Sequence, residues 1–282
     1  MVALTEEGGY LVVPQSVLEI FGTGLSFLFS KQYFTLLLPF LPVLFLEWQL
    51  GLIHSAIGLA LGRERIDKYL ILSMIIFILI LIFYGLAIGI DAQIIADELL
   101  GRETGLKKSI NATLRVFKPL IGSLILATLI VIFPFLAFIL VGFIMNITGI
   151  GVWRFTTVMI GYLFSIALSV FFVSWLCLMP VVVVLEERRP LDALRRSIEL
   201  IRGDWLHVFA IVLIISIGNC IMSFIAAYIE NIVSIALTET PLSQLCFFIE
   251  PIISNLIDPI SVGMLTALYF DLLARKPYLK NF

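Results

Sequence analysis

Six long apolar runs decide what this chain can fold into. A helix needs about 20 apolar residues to cross the hydrocarbon of a bilayer. Six segments qualify, at approximately 33–61, 69–95, 119–144, 155–184, 208–235 and 245–273. The chain is 61% hydrophobic and 13% charged, whereas soluble domains carry about a quarter charged residues. No water-soluble core needs that much apolar surface. The predicted fold class is all-α, a polytopic membrane helix bundle of six transmembrane helices in a single integral membrane domain. Several runs exceed the minimum, so tilt or kinks are expected. Pro39, Pro42, Pro134, Pro251 and Pro259 lie inside them and are the expected kink sites.

Orientation follows from lysine and arginine near the span ends. Fourteen of the eighteen lie on one side: Lys31, the cluster from Arg102 to Lys118, the cluster from Arg188 to Arg202, and Arg275, Lys276 and Lys280. The other side holds Arg63, Arg65, Lys68 and Arg154. This bias predicts a multi-pass protein of the cell membrane with both termini in the cytoplasm. The basic loop at 62–68 is its discordant feature. Residues 1–9 carry Glu6 and Glu7 but no basic residue, so no cleavable signal peptide is expected.

Two stretches match without gaps at an offset of 88 residues. Glu98, Leu106, Ser109 and Ile110 align with the identical Glu186, Leu194, Ser197 and Ile198, and Lys107-Lys108 aligns with Arg195-Arg196. Each stretch reads as an amphipathic helix. Leu106, Ile110, Leu114 and Phe117 form one apolar stripe; Leu191, Leu194, Ile198, Ile201 and Trp205 form the other. Pro190 suits a first helical position and Gly203 a C-terminal one. A weaker third copy carries Val17, Phe21, Leu25 and Leu28. The predicted plan is three units, at about 14–98, 99–186 and 187–276, each an interfacial helix followed by two spans. All three interfacial helices then fall on the cytoplasmic side, in agreement with the charge count. Lys107, Lys108, Arg115, Arg195, Arg196 and Arg202 become candidates for an anionic lipid surface, or serve only to enforce topology.

Ionisable groups at membrane depth are functional candidates. They are Glu47, with His54 seven residues on and on the same helical face, Asp91, Asn219, Glu250 and Asp258. If the units close into a ring, Glu47, His54, Asn219 and Asp258 form one polar layer able to hold a proton or a cation. The Glu250-Pro251 and Asp258-Pro259 steps suggest broken helices whose freed carbonyls line a cavity. The same residues would otherwise serve as interhelical hydrogen-bonding glue. Metal binding is not expected: the chain has two histidines, His54 and His207, no His-Glu-x-x-His and no Cys-x-x-Cys. Cys177, Cys220 and Cys246 read as small hydrophobes. No phosphate loop or nucleophile elbow is present, so no cofactor and no catalytic site are expected. No basic domain suggests nucleic acid. Asn111-Ala-Thr113 and Asn146-Ile-Thr148 fit the glycosylation pattern, but the first reads as cytoplasmic and the second hugs the membrane.

The run Met179-Pro-Val-Val-Val-Val-Leu-Glu186, the helix Leu191-Asp-Ala-Leu-Arg-Arg-Ser-Ile-Glu-Leu-Ile-Arg-Gly203 and the tail Leu268-Tyr-Phe-Asp-Leu-Leu-Ala-Arg-Lys276 carry a family resemblance. They look like the membrane domain of glycerophosphoryl diester phosphodiesterases and its six-span prokaryotic relatives. The tail departs at Leu273, where that group often has Arg. The catalytic domain of those enzymes has no counterpart here. The resemblance therefore implies a stand-alone, non-enzymatic membrane module in a prokaryotic cell membrane. The leading expectation is a module that organises membrane lipids, anionic ones included, or a partner protein or further copies of itself. The alternative is a transporter or channel using the Glu47, His54, Asn219 and Asp258 layer.

Overall fold

The computed structural model describes residues 2–4, 10–12, 14–30, 32–59, 66–147, 154–237 and 248–276. Two three-residue strands, β1 (Val2–Leu4) and β2 (Tyr10–Val12), pair antiparallel. Everything else regular among the described residues is helical: α1 (Val17–Leu28), α2 (Tyr33–Leu37), α3 (Leu41–Leu59), α4 (Ile66–Leu99), α5 (Leu106–Arg115), α6 (Phe117–Ile147), α7 (Arg154–Leu176), α8 (Met179–Glu186), α9 (Pro190–Ile201), α10 (Trp205–Leu237), α11 (Ile249–Asn255) and α12 (Asp258–Arg275). Six helical stretches are long and apolar enough to cross a membrane: Tyr33–Ile53, Leu70–Leu99, Phe117–Leu140, Leu163–Glu186, Trp205–Ile235 and Pro251–Arg275. The expected membrane helix bundle is present. Most of the 62–68 loop lies outside the described residues.

Proline sets the breaks within spans. It lacks the N–H that a helix interior needs, but the first turn does not need it. The first span is assembled from α2, a 3-10 turn at Leu38–Phe40 containing Pro39, and α3, with Pro42 in its first turn. The fourth breaks between α7 and α8, with Pro180 opening α8; the sequence reading had not placed a break there. The sixth breaks between α11 and α12, with Pro259 opening α12. Pro134 differs from the others, since α6 runs through it unbroken. Ser165 of α7 donates to its carbonyl at 3.3 Å.

The fourth and sixth spans are the inner ones. Val181–Val184 of α8 and Leu268 and Leu272 of α12 pack with Ile94, Ile95, Leu200, Ile201 and Ile211 in one core. The outward faces of the other spans are apolar and exposed, as at Phe34, Met74, Phe133 and Phe224.

The three short helices α1, α5 and α9 stand where the sequence placed them, and the predicted stripes coincide with their buried faces only in part: Ile201 is fully buried, and Val17, Phe21, Leu25, Leu106, Ile110 and Leu194 pack against the edge of the core. Leu191 is 62% exposed, Ile198 38% and Leu114 53%. The buried sets are instead Ile20, Gly24 and Phe27; Ser109 and Thr113; and Ala193, Arg196, Ser197, Leu200 and Ile201. Lipid is as apolar as a protein core, so a hydrophobic stripe in a membrane protein need not turn inward. The fully buried positions of α5 are the small Ser109 and Thr113, and those of α9 mix the small Ala193 and Ser197 with Arg196, Leu200 and Ile201. At the start of α1 the Ser16 hydroxyl accepts from Glu19 N–H while Glu19 accepts from Ser16 N–H, a capping box. The Ser16 N–H, with the Ser16 hydroxyl as a second donor, holds the Glu19 carboxyl below its usual range. Gly203, with φ +98°, supplies the left-handed residue after α9.

Helix α1 lies against α12 at Gly24. A Cβ there would collide with the Met264 side chain and come within 3.3 Å of the Ile260 carbonyl oxygen. Gly24→Leu should therefore destabilise the protein by about 1–3 kcal/mol, read as a lower Tm in detergent. Gly22→Leu, where the added atom meets nothing within 4 Å, should leave Tm nearly unchanged.

Candidate functional site

A cleft of about 330 Å³ opens between the first, second, fifth and sixth spans. It is lined by Glu47 of α3, Ile80 and Tyr84 of α4, Asn219 and Ser223 of α10, Asn255 of α11 and Asp258 of α12. Tyr84 and Asn219 stand at the middle of their spans, by residue count. Three of the four residues expected to form one polar layer therefore meet, and they arrive from three different spans. The fourth, His54, has a side chain outside the described residues, as does Glu250.

The break in the sixth span shapes this cleft. Asn255 ends α11 and its amide donates both to Glu47 Oε2 and to the Pro251 carbonyl, each at 2.7 Å. Both neighbours are acceptors, which fixes the amide orientation and leaves Asn255 Oδ1 without a partner. The Leu256 carbonyl, freed by the break, accepts from Tyr33 hydroxyl at 2.6 Å. Asp258 begins α12, and its Oδ1 accepts from Tyr84 hydroxyl at 3.3 Å. Asn219 Oδ1 also lacks a hydrogen-bond partner.

Asp91 is not among the cleft-lining residues. It lies two turns along α4 from Tyr84, is fully buried, and neither carboxyl oxygen has a hydrogen-bond partner.

The six basic candidates divide. Lys107, Lys108 and Arg115 line a shallow depression on α5 with Asn111 and Ala112. Lys108 also pairs with Asp97 at 2.8 Å. Arg195 and Arg202 are exposed. Arg196 is not a surface residue: it is 1% exposed, and its Nε lies 3.1 Å from Glu186 Oε1. The helix face that meets the bundle is rotated from the predicted stripe, and that rotation carries Arg196 inward. Glu186 also accepts from Arg188 Nε at 2.6 Å and from Tyr269 hydroxyl at 2.9 Å. In both α5 and α9 the second basic residue of the pair thus reaches a carboxylate near the end of the preceding span.

The tail motif continues this network. Asp271, fully buried, accepts from Gln15 N–H at 2.5 Å and from Arg275 Nε at 2.9 Å. His207 Nε2 lies 3.0 Å from the same carboxylate, out of line for a hydrogen bond. Arg275 donates to the Gln15 carbonyl at 2.6 Å and approaches Asp204 at 3.5 Å. Lys276 donates to the carbonyls of Glu199, Leu200 and Arg202 at 3.1, 2.5 and 2.6 Å, closing the C-terminus of α9. Burial draws the Lys276 ammonium below the usual lysine range, and the Asp204 carboxylate acts the other way. These residues clasp the chain ends to α9 and α10; they do not line the cleft.

Sequence reasoning missed Tyr84, Ser223 and Asn255 in the cleft. Their only signal is a polar atom inside an apolar run, which tyrosine and serine commonly supply without function. Gln15, Asp204 and Asp271 gave no signal beyond the tail motif.

A family profile described as a domain of unknown function (DUF7847) matches residues 16–272, from the cap of α1 to the last turn of α12. No curated protein and no solved structure matches the chain.

The burial difference between two adjacent arginines is directly testable. Breaking a buried ion pair by removing one partner costs about 3–5 kcal/mol, so Arg196→Met should lower Tm sharply. Arg195→Met should shift stability by less than about 0.5 kcal/mol. Equal effects in thermal melts would contradict the assignment.

Proposed function

The chain belongs to the DUF7847 family, and from that premise we propose that it is a membrane transporter or channel-like protein working through the cleft. The observation that carries this reading is the convergence of Glu47, Asn219 and Asp258 from three spans on one cleft. Buried polar groups in hydrocarbon are costly, and helix–helix glue alone would use them in pairs that satisfy one another. Here two amide oxygens remain without partners beside an open volume. The broken sixth span gives the arrangement common to transporter sites, irregular backbone only where it borders a cavity.

The lysine and arginine bias supports an orientation with both termini and the α9 end of the bundle in the cytoplasm. The closing motif supports a distant relation to the membrane domain of glycerophosphoryl diester phosphodiesterases, without their enzymatic activity. The parallel Lys108–Asp97 and Arg196–Glu186 pairs support the repeat between its second and third units.

Accessibility of the cleft is the test. In a protein with Cys177, Cys220 and Cys246 replaced by alanine, Ser223→Cys should react with a small hydrophilic thiol reagent. Ser123→Cys, at a fully buried site, should stay unlabelled under the same conditions. No labelling at position 223 would remove the transport reading.

One observation favours a second reading, a module that organises anionic lipid or a partner. Lys107, Lys108 and Arg115 share a depression, and Leu114 beside them is an exposed apolar residue. Replacing these three basic residues with glutamine should then weaken retention of anionic liposomes in flotation. Unchanged flotation would leave the depression without a lipid role.

A further inference from the structure

Resting on the cleft as the working site, we infer that transport is coupled to a proton bound at Asp91, outside the cleft itself. Asp91 stands apart from the other buried acids among the described residues. Asp97 pairs with Lys108, and Asp271 with Arg275. Asp91 is 0% exposed, neither of its carboxyl oxygens has a hydrogen-bond partner, and no ion pair among the described residues involves it. Its neighbours along α4, Ile90, Ala92, Ile94 and Ile95, all belong to the apolar core. An ionised carboxylate in that place carries the full cost of an unpaired buried charge, whereas a carboxylic acid leaves only polar atoms unanswered. A proton supplies the difference. A metal ion does not, since no group of three or more His, Cys, Asp or Glu side chains is placed to hold one among the described residues.

The position of Asp91 connects it to the cleft and to one end of the bundle. Tyr84, Asp91 and Glu98 recur at steps of seven residues, two turns or about 10 Å each, so they share one face of α4. Tyr84 lines the cleft and donates to Asp258. Glu98 stands in the last turn of α4, and its Oε2 is buried without a hydrogen-bond partner. Proton relays in membrane proteins are built from such lines of protonatable side chains. Asp258 of α12 is the described group whose charge acts on Asp91. The ionisable groups on the other faces packed against α4 are engaged elsewhere or turned outward. Lys108 of α5 is held by Asp97, Glu186 of α8 by Arg188 and Arg196, Tyr269 of α12 by Glu186, and Asp271 by Arg275. Lys107 and Arg115 of α5 and Lys118 of α6 are exposed. Glu47 of α3 meets Asn255 at the cleft. His54 lies two turns beyond Glu47 in the direction away from Asp91, because α3 and α4 are consecutive packed helices that run antiparallel. Proton uptake makes one O–H bond at the Asp91 carboxylate; release breaks it and restores the carboxylate. The charge at Asp258 sets which state is favoured, so a change in the cleft is felt at Asp91.

Infrared spectra of the purified full-length protein in detergent, natural minus Asp91→Asn, read this proton. They should show a carboxylic-acid C=O stretch at neutral pH that gives way to carboxylate stretches as pH rises. Asn keeps the shape of the side chain and stays neutral at every pH. The folded natural protein holds a proton that an unfolded aspartate loses above about pH 4. From there to the pH at which the acid band vanishes, each pH unit should lower the folded-to-unfolded ratio of the natural protein about tenfold relative to Asp91→Asn, read as a steeper fall of Tm. Asp258→Asn removes the charge that acts on Asp91, so the acid band should vanish at a lower pH. That comparison leaves Asp91 in place and decides the matter where Asp91→Asn does not fold. The inference is overturned if the difference spectrum shows carboxylate at neutral pH, if Tm falls alike in the natural protein and Asp91→Asn, or if Asp258→Asn leaves the transition where it was. Labelling of Ser223→Cys with no acid band removes the proton and leaves the cleft as a site. An acid band with no labelling at position 223 removes the transport reading and the coupling with it.

Discussion

Hydrocarbon offers no hydrogen-bond partner to a backbone group. Each place where a helix of this bundle stops inside its span must therefore be answered from within the protein. In the sixth span Tyr33 hydroxyl reaches the Leu256 carbonyl, and Asn255 turns its amide back to Pro251. In the fourth, Ser197 of α9 donates to the Trp175 carbonyl at 2.8 Å, in the last turn before the break. At the end of α9 the Lys276 ammonium takes three carbonyls together. The tertiary structure is drawn together by these repairs: α2 is tied to the α11–α12 junction, α9 to α7, and the end of the chain to α9. At the cleft, the side-chain oxygens of Asn219 and Asn255 remain without a hydrogen-bond partner beside a volume of about 330 Å³.

Much of this was legible in the sequence, for physical reasons that differ by feature. Span positions were legible because a length of about 20 apolar residues is fixed by bilayer thickness. The Asp258-Pro259 break was legible because proline favours the first turn of a helix. At Pro134 the helix continues, and Ser165 of α7 reaches the Pro134 carbonyl. The facing of α5 and α9 was not legible. Apolar periodicity identifies a core face in water, whereas in lipid it does not separate the protein side from the lipid side. Ser109 and Ser197 mark the inward faces instead. Arg195 and Arg196 look alike in sequence; a turn of about 100° per residue sends one to the surface and the other to Glu186.

The candidate site shows the same division. Glu47, Asn219 and Asp258 were found because a polar residue in an apolar run is costly. Asp91 met that criterion too, yet it does not line the cleft. Depth in a span does not tell which way a side chain faces. Tyr84 and Asn255, which hold the two carboxylates, needed the three-dimensional arrangement to be recognised.

Helix α12 joins the two polar regions of the molecule. Its first residue lines the cleft, and its last turn is bound by Asp271 and Arg275, followed at once by Lys276. An 18-residue helix fixed at one end behaves as a post. The joint at Leu256–Ile257 then separates this post from the seven-residue α11. That arm is about 10 Å long, so a tilt of about 10° moves its outer tip on the order of 2 Å. Because Asn255 forms the inner end of the arm, the same tilt changes the distance between its oxygen and the two carboxylates. The shape of the cleft is thus tied to the tilt of one short helix, α11.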